Sequence, residues 1–73
     1  MSAPISLNDQ MACVRREIAL RHRVYPGQVA RGTMTPAWAE YQITAMEAVL
    51  VSLDTLARAE DPQGLLLPAE GGR

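Results

Sequence analysis

The 73-residue chain has no lysine and no phenylalanine, a single cysteine, a single histidine, and only three Trp or Tyr side chains. One cysteine rules out an internal disulfide. Cys13 and His22 also lack the spacing of a zinc site, and they stand nine residues apart on one predicted helix, pointing almost oppositely, so they form no nucleophile–base dyad. Gly27 and Gly32 stand without the Lys-Ser/Thr ending of a phosphate-binding loop. The acidic residues Glu40, Glu47 and Asp54 fall seven apart, about 10 Å along a helix, which is wide for an acid–base pair. The chain therefore reads as non-enzymatic, with no metal and no cofactor.

Two further absences bear on location. No stretch approaches the ~20 apolar residues of a membrane span. The opening Met-Ser-Ala-Pro-Ile-Ser has neither the basic start nor the apolar run of a signal peptide. A cytoplasmic protein is expected, with Cys13 a half-buried thiol in a reducing compartment.

What the chain does have is helical pattern interrupted once. Gly32 suits the left-handed conformation that ends a helix. Thr35 can cap the next helix, and Pro36 fits its first position, where a missing N–H is harmless. The first helix is expected to start at a Ser6 cap, with Asp9 in the place of a capping-box acid. Leu7, Met11, Val14, Ile18 and Tyr25 share one face of it, with Arg21 in the gap, and Cys13, Leu20 and Val24 form a second patch further round. Pro26 either ends this helix near Val24 or sits in a kinked continuation to Ala30, and the helix-compatible Gln28–Arg31 favours continuation. The second helix is predicted from Pro36 to about Ala59, with Trp38, Met46, Val49, Leu53 and Leu56 as a stripe broadened by Ile43 and Leu50. Trp38 and Tyr41 are expected as core anchors, or as interface anchors if exposed.

The fold class expected is all-α: a two-helix antiparallel hairpin over residues 6–60, between a flexible N-terminus (1–5) and a flexible tail (61–73). Within that tail Leu65-Leu66-Leu67 is expected to pack on the hairpin or a neighbour. Two short amphipathic helices leave much of their apolar surface wet, and neither disulfide nor metal staples them. Self-association, most simply an antiparallel dimer forming a four-helix bundle, is the expected remedy, through Met11, Val14, Ile18, Trp38, Met46, Val49, Leu53 and Leu56.

Charge divides the two helices. Arg15, Arg16, Arg21, Arg23 and Arg31 stand against Glu17 in the first; Glu40, Glu47, Asp54, Glu60 and Asp61 stand against Arg58 in and just beyond the second. Pairing of these opposite rims, inside the hairpin or across a dimer, is one expectation. The functional expectation is protein binding, with Arg15, Arg16, Arg21, Arg23, Tyr25 and Arg31 engaging an acidic partner surface. The alternatives are contact with nucleic acid through the same arginines, which a net charge of −1 disfavours, and sequestration of a small anionic nucleotide between subunits.

Arg15-Arg16-Glu17-Ile18, Arg21-His22-Arg23-Val24-Tyr25-Pro26, Val29, Gly32, Met34-Thr35 and Met46-Glu47-Ala48-Val49-Leu50 resemble a group of short bacteriophage and proteobacterial prophage proteins. The Arg-Val-Tyr-Pro run followed by Gly-x-Met-Thr is the most specific part. This chain differs at Gly27, where the group carries a basic or bulky residue, and at Pro36, where it carries a charged residue or Gln. The resemblance implies a phage or prophage origin rather than a mechanism; by analogy, small phage accessory proteins commonly bind a host or phage protein, and some blunt host defence.

Overall fold

The computed structural model describes residues 4–60, which fold as two helices, α1 (Leu7–Ala30) and α2 (Pro36–Glu60), packed as a hairpin. The described residues contain no strand. The expectations for residues 1–3 and for the tail 61–73, Leu65–Leu67 included, lie outside the described residues.

Local chemistry sets each boundary. Ser6, in an extended conformation, accepts the Asp9 N–H on its hydroxyl at 3.0 Å and starts α1. Pro26 is accommodated inside α1, which runs unbroken to Ala30, so the helix-continuing alternative holds. At its end Thr33 N–H donates to the Gln28 carbonyl and Gly32 N–H to that of Val29, each at 3.0 Å. This is the double bond pattern of a Schellman motif. It requires a left-handed residue, and Gly32 supplies it with φ +81°. The Thr33 hydroxyl adds a second donor to the Gln28 carbonyl at 3.1 Å. Thr35 then accepts the Trp38 N–H on its hydroxyl at 3.1 Å, and Pro36 opens α2.

The contact between the helices is thin. Met11, 3% exposed, together with Ala39 and Ala57, makes up the fully buried apolar set. Around it Leu7, Val14, Ile18 and Tyr25 of α1 and Ile43, Met46, Leu50 and Leu53 of α2 are half-buried. The predicted α1 face is the packed one, with Arg21 filling its gap. On α2 the packed row is Ala39, Ile43, Met46, Leu50, Leu53 and Ala57, in steps of four and three. Trp38, Val49 and Leu56, expected in the same stripe, belong to the adjacent row and are exposed, as is Tyr41. Ala39 and Ala57 are the buried ends of a packed row whose middle is Ile43, Met46, Leu50 and Leu53, and this row, rather than the one through Trp38, is turned to α1. Cys13 is exposed rather than half-buried, on the outer side of α1 with Leu20 and Val24.

Two pairs of substitutions test this account by chemical denaturation. Met11→Ala is expected to cost about 2–4 kcal/mol, whereas Cys13→Ala changes stability by less than about 0.5 kcal/mol. Gly32→Ala meets open space but a left-handed backbone and is expected to cost about 1–2 kcal/mol. Gly27→Ala stays helical and meets only the flexible tip of Arg31 at 3.3 Å, so it is expected to stabilise by about 0.5–1 kcal/mol.

Candidate functional site

The six residues predicted to bind a partner do not form one cluster. Arg21 is an internal clamp. Its Nε donates to the Glu17 carboxylate at 2.8 Å, while Nη1 donates to the Gln42 backbone carbonyl at 3.0 Å and to Gln42 Oε1 at 3.3 Å. The guanidinium carbon also lies 5.9 Å from the centre of the Tyr25 ring. Only the forked, planar head of arginine can reach a side chain on its own helix and a carbonyl on the next. Arg21 thus makes both of the hydrogen bonds from α1 to α2 found among the described residues.

Arg15, Arg16, Arg23 and Arg31 remain exposed. At about 100° per residue, Arg16 and Arg23 share a line on the side of α1 turned away from α2, and Arg15 lies about 100° from it. Arg31 caps α1, its guanidinium lying over Gly27.

The expected ion pairing across the rims does not occur inside the hairpin. Both ion pairs among the described residues are within a helix, Arg21–Glu17 at 2.8 Å and Arg58–Asp54 at 2.7 Å. Geometry is the reason. Arg16 and Arg23 face away from α2, and Arg21 lies on the opposite side of the hairpin from the Glu40–Glu47–Asp54 edge. At Arg58 the hydrogen bond it donates to Asp54, and then that carboxylate's charge, raise the guanidinium pKa.

Two surface features remain. On the acidic side, near the turn, an open cleft of ≈ 440 Å³ is lined mainly by Tyr25, Pro26, Val29, Ala39 and Ile43, with His22 and Glu40 at its edge. No arginine lines it and it carries a carboxylate, which is the wrong charge for an anionic nucleotide within one hairpin. On the other side, marked by the Arg21–Gln42 bond, α2 exposes Trp38 (53%), Val49 (43%) and Leu56 (53%), with Tyr41 (61%) at the margin. The Trp38 and Tyr41 rings stack with centroids 5.6 Å apart. On α1 the same side exposes Val24 and, further round, Leu20. Sequence periodicity found these apolar residues but could not separate two adjacent apolar rows.

Among the described residues no group of three or more His, Cys, Asp or Glu could hold a metal, and no helix is long and apolar enough to cross a membrane. Comparison with protein families, curated proteins and solved structures finds no match for the chain.

The clamp predicts a contrast among arginines. Arg21→Lys, which keeps the charge but loses the fork, should destabilise by about 1–2 kcal/mol. Arg16→Lys and Arg23→Lys should each stay within about 0.5 kcal/mol of the parent in urea melts.

Proposed function

We propose that the chain is a small accessory protein of phage or prophage origin that self-associates and acts by binding a protein partner, without catalysis, in the bacterial cytoplasm. The observation that carries the reading is the mismatch between core and surface. A core whose only large fully buried side chain is Met11 stands beside an exposed row containing Trp38, Val49 and Leu56. Large exposed apolar and aromatic groups in contiguity mark an interaction surface. A 55-residue hairpin with so little buried volume gains most of its stability by covering that surface.

Arg15, Arg16, Arg23 and Arg31 support the partner-binding half of the reading. They are exposed and make no ion pair among the described residues. Arginine in that state suits forked recognition of carboxylates on another protein. The assignment to a phage or prophage setting rests on the Arg23–Pro26 and Gly32–Thr35 runs.

Light scattering at micromolar concentration is expected to give twice the 8.0 kDa chain mass or more. A folded monomer would refute self-association. Capture from host lysate is expected to lose its specific partner in an Arg15→Glu, Arg16→Glu, Arg23→Glu triple variant. Equal recovery by both forms removes the arginines from the site. Titration with single-stranded and duplex DNA should show no steep salt-dependent binding; finding it would replace the protein partner with nucleic acid.

A further inference from the structure

Resting on the proposed self-association, we infer that the face marked by the Arg21–Gln42 bond is a twofold interface on which a second copy of the chain stacks, with α1 antiparallel to its counterpart and α2 antiparallel to its own. The exposed row on α2 reads Trp38, Gln42, Ala45, Val49, Ser52, Leu56, in steps of four and three. On the same side of the hairpin α1 reads Gln10, Val14, Glu17, Arg21, Val24, Gln28, in the same steps. All twelve side chains are exposed or half-buried. The α2 row stands roughly a quarter-turn from its packed seam, and the α1 row, which shares Val14 and Arg21 with the edge of its own, about a sixth of a turn. The two therefore face the same side of the hairpin, as a four-helix bundle needs.

Any such row has symmetric spacing, but the residue types here are symmetric too. An antiparallel twofold contact at the level of Glu47 sets Trp38 against the partner's Leu56, large against large. It sets Gln42 against the partner's Ser52, polar against polar, and Ala45 against the partner's Val49, small apolar against small apolar. On α1 the matching centre is Ala19: Gln10 meets the partner's Gln28, Val14 the partner's Val24, and Glu17 the partner's Arg21, opposite charges in contact. The two centres lie level with one another. Ala19 is eleven residues before the end of α1 at Ala30, and Glu47 is eleven after the start of α2 at Pro36. A single axis therefore satisfies both rows, as an isologous dimer requires.

The other way of stacking the same faces fails. An axis parallel to the helices lays α2 on the partner's α1, and every level then opposes apolar to polar. Trp38 meets the partner's Gln28, Ala45 the partner's Arg21, Val49 the partner's Glu17 and Leu56 the partner's Gln10. The favoured stack also leaves Arg16 and Arg23 outside the bundle and Arg15 on its far side, available to the partner proposed above.

Disulfide trapping tests the register in the full chain with Cys13→Ser as background. One chain carries Ala45→Cys and another Val49→Cys. The equimolar mixture should form a disulfide-linked dimer in mild oxidant in several-fold higher yield than either chain alone, with circular dichroism confirming that each is helical. A dimeric mass without preferential mixed trapping overturns this face and register but leaves self-association standing. A monomeric mass overturns both. Preferential trapping of one chain with itself shows a different register and also overturns the inference. Charge provides a second readout that needs no cysteine. Glu17→Arg and Arg21→Glu chains are each first confirmed helical by circular dichroism, because Arg21→Glu also removes the bonds to Gln42. Each should associate at least about tenfold more weakly than the parent yet pair with the other on mixing, because both cross-axis contacts are then opposite in charge, a rescue that loss of the bonds to Gln42 would not give. Failure to form that heterodimer counts against the α1–α1 contact.

Discussion

A helix can bury one stripe against one neighbour, and in this hairpin the stripe of α2 is bounded at both ends by alanine. Ala39 and Ala57 are buried at the two ends of the contact, and among the described residues Met11 is the one sizeable side chain sealed between the helices. Alanine removes little apolar area from water, and the larger side chains of the row, Ile43, Met46, Leu50 and Leu53, are only half-buried, so the contact seals little volume. Trp38, Val49 and Leu56 stand on the flank of that row and stay exposed. The exposed face and the thin core both follow from which of two adjacent rows of α2 is turned to α1.

Arg21 makes this arrangement specific. It occupies a position in the α1 seam where an apolar residue would be expected, and its hydrogen bonds to Glu17 and to both oxygen acceptors of Gln42 join the two helices at one level. A half-buried charge costs free energy unless satisfied, and here it is satisfied only when Gln42 stands opposite. Sliding or rotating α2 by one residue would disturb the two bonds to Gln42, leaving Arg21 with Glu17 alone. The aliphatic contacts of the seam are tolerant of such shifts; the guanidinium is not.

The turn chemistry was legible in the sequence because each signal is local. Ser6, Gly32, Thr35 and Pro36 act through their own φ values or hydroxyl groups, and nothing distant overrides them. Continuation of α1 through Pro26 followed from the better stop at Gly32. The division of α2 into a packed row and an exposed row was not legible, because Trp38, Met46, Val49, Leu53 and Leu56 are all apolar and periodicity cannot tell which neighbouring row a partner helix will choose. Alanine has too little hydrophobic weight to announce Ala39 and Ala57 as the contact. The same limit applied to charge: the sequence grouped Arg21 with Arg15, Arg16, Arg23 and Arg31 as partner-binding residues, whereas side-chain direction separates Arg21 from Arg16 and Arg23.

Arginine without lysine acquires meaning from that separation. Where charge alone mattered, lysine would serve equally well, yet Arg21 uses its fork to hold two helices together and Arg58 closes on Asp54 through its Nε. Arg15, Arg16 and Arg23 keep the same capability unused by the hairpin. Their positions relative to the apolar face matter more than their number. The apolar row and the Glu17–Arg21 pair lie on one side, suited to contact with a like surface, while these three cations lie behind and opposite it. One small hairpin thus separates the surface that would complete its own packing from the surface that would meet something else, and occupation of the first does not obstruct the second.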